Sequence, residues 1–236
     1  MTFDPRGPFR ADAPILDLAL TAAAAVLSKL PKVAPGGLSR LYLHQTAEEY
    51  GCVSGAYHAV VAKPADGWQI VLSHDVRDNA FATFSPENYA EHTYRRNTGA
   101  IGLALDGLIG AGVSPNDFGS EPIQMHEVEF LCAAAAAFCT AYEIDALGTS
   151  NDAFRPYYNG EPNILTHAEA ANRVGNPPQY AAYGPQPGTC ERWDLATLIP
   201  APAGYVVTDA DASVAGDELR RRIHVYKTHL LEVRHE

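Results

Sequence analysis

Positive charge is the first thing this sequence is short of. Seventeen lysines and arginines stand against 28 aspartates and glutamates, a formal net charge of −11. A nucleic-acid binder would carry a basic face, so that class is excluded as an expectation, and an anionic membrane has no general pull on such a chain. One basic run, LRRR at 219–222, sits apart from the acidic bulk. Long apolar runs are also missing. The apolar ILDLALTAAAAVL near the start holds an aspartate and is too short to span a bilayer. The opening MTFDPRGPFRADAP has prolines and acids where a secretory leader has a basic segment. Synthesis in the cytoplasm is therefore expected, with any export by another route. Cysteine is scarce: four residues, with no C-x-x-C pair, exclude a disulfide framework as the basis of the fold. Cys132 and Cys139, seven apart in EFLCAAAAAFCTAY, read as small buried apolar residues. There is no internal repeat.

What remains is an ordinary globular composition, 47% hydrophobic and 19% charged, long enough for one sizeable core. Helical spacing and many alanines predict a helix over 15–30, broken by PKVAPGG. LSRLYLHQ reads as a buried strand, and YHAVVAKPADGWQIVLSH as a hairpin turning at Pro64–Gly67. NTGAIGLALDG reads as another core strand, and a strong helix is expected from Gln124 to Tyr142. PNILTHAE predicts a further strand, followed by a long Pro/Gly-rich loop from Gly175 to Gly188 of the kind that is functional or mobile. Asp194 is placed as the cap of a short helix ending near Pro200. The tail GDELRRRIHVYKTHLLEVRHE fits one amphipathic helix or two short strands. The expected fold is α/β, a central mixed sheet flanked by helices. The expected division is a helical arm (1–36), a domain (37–200) and a C-terminal extension (201–236).

Three segments carry the chemistry. LSRLYLH ends at His44, NILTHAE holds His167 at a strand end, and ERWDLATL supplies Asp194. A lone strand-end histidine is more often a satisfied structural residue, but two such ends can lie side by side in one sheet. Two imidazoles and a carboxylate are a three-ligand set for a catalytic zinc with one position left for water. Cys190, four residues before Asp194, is the rival third ligand, and spacing does not separate the two. Tyr57 lies on the strand AYHAVV and alternates in facing with His58. His92 adjoins a polar, basic loop that feeds a core strand.

Together these segments resemble the zinc-dependent N-acetylmuramoyl-L-alanine amidases, the superfamily that includes peptidoglycan recognition proteins and amidase-type phage endolysins. The resemblance covers roughly 40–200. Its blocks, in order, are LYLHQTAE, AYHAVVAKPADG, EHTYRRNTGAIGLALDG, ILTHAEAA and RWDLATL. It implies a mixed sheet with helices on its faces and a zinc site in a surface groove at strand ends. It further implies Zn2+ ligands His44, His167 and Asp194, with Cys190 as the alternative third ligand. Tyr57 matches the tyrosine kept beside the zinc water, and Arg173 stands where some endolysins carry a catalytic lysine. An arginine there could polarise a carbonyl but not act as a base. Glu169 is the candidate proton shuttle, and His92 and Asn97 are expected to line the groove and bind glycan or peptide. The chain departs from the family where HQ replaces an HH doublet and where a DPG motif is missing. The implied activity is hydrolysis of the muramic acid to L-alanine amide in peptidoglycan. The alternatives are a non-catalytic or weakly active peptidoglycan-binding module, or a structural component of a phage-like particle docked through the tail.

Overall fold

The structure, a computed structural model, describes residues 3–7, 13–64, 67–93, 96–110, 118–151, 158–171 and 194–233. Five strands form one mixed sheet: β1 (Arg40–Gln45), β2 (Ala59–Ala62), β3 (Gln69–Leu72), β4 (Ala100–Leu105) and β5 (Ile164–Thr166). Their spatial order is β3-β2-β4-β1-β5. Only the β2–β3 hairpin is antiparallel; β2–β4, β4–β1 and β1–β5 are parallel. The near-continuous apolar wording of AVVA, AIGLAL and RLYL fits this, because parallel strands are covered on both faces.

Among the described residues the α-helices beside the sheet are α1 (Ala13–Leu27), α2 (Met125–Ala141), α3 (His167–Ala171) and α4 (Asp209–Val233). α2 is buried from Glu127 to Thr140, and its alanine run lets neighbours approach closely. Cys132 and Cys139 lie buried and unpaired within it, as expected. Leu41, Leu43, Ile101, Leu103 and Leu105 face one core with Ala19 and Ala23 of α1, all of central α2, and Leu219, Ile223 and Leu230 of α4. α1 and α4 thus pack into the same core as the sheet. The tail is a single helix. No helix among the described residues is long and apolar enough to cross a membrane.

The helices α1, α2 and α4 share one face of the sheet. The other face, with Tyr42, His44, Gly102 and Leu165, is covered by the irregular segment between β3 and β4. Within it Asn79 is fully buried and acts as a pin. Its amide donates to the carbonyls of Ala90 and Asn97 at 3.1 Å each, and its Oδ1 accepts from Ala90 N–H at 2.8 Å. Three bonds from one side chain hold an otherwise irregular segment against the sheet.

The sheet and α2 also meet at two buried acids. Asp106, just beyond β4, accepts hydrogen bonds from the backbone N–H groups of Gly51 and Lys63, while Glu127 accepts from Gln124 N–H at 3.1 Å in a capping box. Burial pushes both carboxyls up, Glu127 well above its usual value. A folded-state pKa above the unfolded one gives stability that is full below the unfolded value and is lost as pH rises through the folded one. Glu127→Gln mimics the protonated acid. It is expected to match wild type near pH 4.5 and to exceed it increasingly as the pH rises, the gap widening by at most about 1.4 kcal/mol for each step of one in pH. Thermal melts at pH 5 and pH 8.5 check this; an equal difference at both pH values contradicts it.

Candidate metal centre

Strand register brings the two histidines together. Leu43 pairs with Thr166 across β1 and β5, so His44 and His167 stand at matching heights one residue further on. His44 is the fifth residue of its strand and shares a face with Tyr42. At His167 the chain leaves β5 and enters α3 through a T-x-x-E capping box. Glu169 N–H donates to Thr166 Oγ1 at 3.1 Å, and Thr166 N–H donates to Glu169 Oε2 at 3.0 Å. The imidazole rings of His44 and His167 lie 4.7 Å apart, edge to face.

Asp194 completes the group, but not as a helix cap. Residues 194–200 form turns and bends, and Leu195 has a left-handed backbone with φ of 58°. That reversal points Leu195 and Leu198 into the core, and it costs about 1–3 kcal/mol for a residue with a side chain. Ala168 N–H donates to the Asp194 carbonyl at 3.2 Å, and Leu195 N–H to Gln45 Oε1 at 3.5 Å, so the turn is tied to both histidine-bearing elements.

Nδ1 of His44 and Nδ1 of His167 converge on one carboxylate oxygen, Asp194 Oδ2, at 3.3 and 3.2 Å. One ligand atom from each residue lies within 4.8 Å of the other two. Among the described residues the three side chains form a group that could hold a metal ion. Burial pushes the His44 imidazole down to about 4, against the pull of Asp194, so the ring is neutral and offers a lone pair at neutral pH. Burial also acts to raise the Asp194 carboxyl, but hydrogen bonds from His167 and then His44 outweigh it and leave the group ionised.

The other predicted residues fall differently. Tyr57 is beside the group: its ring lies 5.1 Å from that of His44, and its hydroxyl donates to the Gln45 carbonyl at 3.4 Å. His92 and Asn97 lie behind the surface. Both are buried, with Asn97 Oδ1 accepting from Thr93 N–H at 2.7 Å. Glu169 is held in place: Arg220 of α4 grips its two oxygens at 2.9 Å each while Thr166 N–H bonds one of them. Arg173, Cys190 and the loop 175–189 lie outside the described residues. Sequence reasoning missed Thr93, Gln45 and Arg220, none of which had a local signal, and also the Thr166–Glu169 capping box, which had one in the spacing of THAE.

The class that fold and site define is an α/β protein whose His44, His167 and Asp194 form a group able to hold a metal ion. Compared with protein-family models, curated proteins and solved structures, the chain matches none.

Proposed function

We propose that this chain is a zinc-dependent hydrolase cleaving the amide between the lactyl group of N-acetylmuramic acid and L-alanine in peptidoglycan. The observation that carries the reading is the convergence of His44, His167 and Asp194 at the ends of adjacent parallel strands. With ligand distances of about 2.0–2.1 Å, a tetrahedral zinc sets its donors about 3.3–3.4 Å apart. The two contacts to Asp194 Oδ2, at 3.3 and 3.2 Å, fit that edge. Two imidazoles and one carboxylate are also the composition of a catalytic rather than a closed structural zinc site. The substrate assignment rests on the five ordered sequence blocks, which include all three proposed ligands and Tyr57.

His44, His167 and Asp194 would hold the ion. When bound, zinc supplies a Lewis acid and an activated water at neutral pH. The chain supplies the rest. Buried His44 and Asp194 give the site a low-dielectric floor that strengthens each electrostatic contact. The Tyr57 hydroxyl, 3.4 Å from the Gln45 carbonyl and beside the His44 ring, would donate to the carbonyl oxygen of the scissile amide as negative charge builds there. The leaving group is the α-amine of L-alanine, which must gain a proton as the C–N bond breaks.

The test uses a defined N-acetylmuramoyl-L-alanyl peptide and reads the newly freed α-amine. Tyr57→Phe is expected to lower kcat by about 10²–10³-fold, the usual cost of one oxyanion donor, with KM little changed. Unchanged kcat would remove Tyr57 from the mechanism, and no amine release from zinc-loaded wild type would remove the amidase.

A further inference from the structure

His44 has two ring nitrogens, and only Nδ1 faces Asp194. Its Nε2 lies 3.2 Å from Thr93 Oγ1, and the same hydroxyl is 3.0 Å from Nδ1 of His92. All three side chains are buried, with Thr93 3% exposed. A hydroxyl can donate one proton and accept another, so Thr93 joins the two imidazoles as a single hydrogen-bonded line.

We infer that Thr93 is a positioning residue of the metal centre, whose hydroxyl takes the Nε2–H bond of His44 and so turns the Nδ1 lone pair toward the ion. The inference rests on the zinc reading and deepens it. Ligation through Nδ1 leaves the ring proton on Nε2, in a place water does not reach. Thr93 Oγ1 is the acceptor there, and its own proton then points to His92 Nδ1. That order puts the His92 proton on Nε2. Without a metal the Asp194 carboxylate attracts a proton to His44 Nδ1, and the same hydroxyl serves by donating to Nε2 instead. Serine could serve both orders; valine, of nearly the same shape, serves neither.

The surroundings are built to hold this line still. Thr93 N–H is fixed by Asn97 Oδ1 at 2.7 Å, and the Asn97 carbonyl by the Asn79 amide at 3.1 Å. His92 packs over Gly102 of β4, where a Cβ would stand 2.3 Å from the ring's Cγ. Only glycine leaves room for that ring. His92 and Asn97 thus act behind the ligand and not on the substrate, which is why these polar residues are inside.

The experiment titrates Zn2+ into the metal-free full chain against a chromophoric chelator, for wild type, Thr93→Val and Thr93→Ser. Thr93→Val is expected to weaken zinc binding by about 10–100-fold, the usual cost of losing an outer-shell partner, and Thr93→Ser to restore most of it. Long-range 1H–15N correlation of the imidazoles in zinc-loaded wild type should place the His44 and His92 protons on Nε2. Zinc binding by Thr93→Val equal to wild type overturns the inference, as does a serine variant no better than valine. If valine unfolds the chain, the wild-type tautomer decides: a His44 proton on Nε2 supports the inference and one on Nδ1 overturns it. Wild-type protein that is folded but binds no zinc overturns the metal reading itself, a result distinct from equal binding by both proteins.

Discussion

His44→Ala is expected to abolish zinc retention and amide hydrolysis together. The side chain is buried at the end of a central parallel strand, and it offers one of the three donor atoms that the described residues bring together. Its loss leaves His167 and Asp194 as a two-ligand remnant. The zinc dissociation constant should rise by more than the ~10–100-fold seen when an outer-shell partner is removed. The fold should survive, because the ring lies on the face away from the main apolar core, and Leu41 and Leu43 of the same strand still pack against α2. His126→Ala is the control: it is exposed on α2 and should leave both properties intact. Equilibrium dialysis with metal analysis, run beside a cleavage assay, gives the answer. Cleavage that persists in His44→Ala contradicts the ligand assignment.

Truncation after Thr208 is expected to prevent folding. α4 contributes Leu219, Ile223, Tyr226 and Leu230 to the common core. It also answers two buried acids. Arg222 and Tyr226 bond Glu129 of α2, the tyrosine at 2.8 Å, and Arg220 forks onto Glu169 while donating to the Ile164 carbonyl at 2.8 Å. Removing the helix would expose the apolar face of α2 and leave those carboxylates without these partners. A graded version separates packing from pairing. Arg220→Met keeps the stem but not the charge, and breaking a buried pair from one side costs about 3–5 kcal/mol. Because Glu169 closes the capping box whose first helical residue is His167, the same variant should weaken zinc binding as well. Gly216 sets a further constraint, since a Cβ there would stand 2.1 Å from Glu169 Oε2. A soluble fragment ending at Thr208 with a cooperative melting transition would contradict this account and return the tail to the role of a docking element.

Much of this architecture was legible in the sequence, for identifiable reasons. Buried parallel strands must be apolar on both faces, so RLYL and AIGLAL announce themselves, and a hairpin needs the turn residues near Gly67. The adjacency of His44 and His167 followed from both standing at strand ends. The tail was not legible because arginines that should mark a solvent face, Arg220 and Arg222, are buried against acids of other elements, which blurs the helical stripe. The burial of His92 and Asn97 was not legible for a related cause: polar side chains read as surface until their partners are known. Asp194 has the wording of a helix cap, DLATL, yet the left-handed Leu195 and the pull of two leucines into the core turn it into a tight bend. In each case a long-range contact overrode a local preference.

The central claim is metal-dependent cleavage of a muramoyl amide. Its most direct test is mass spectrometry of purified peptidoglycan after incubation with the full chain, with and without a strong chelator. Free stem peptides and intact, peptide-free glycan strands are expected, with release stopped by the chelator and restored by added Zn2+. Folded, zinc-loaded protein that releases no stem peptide, or releases it equally in the chelator's presence, would contradict it.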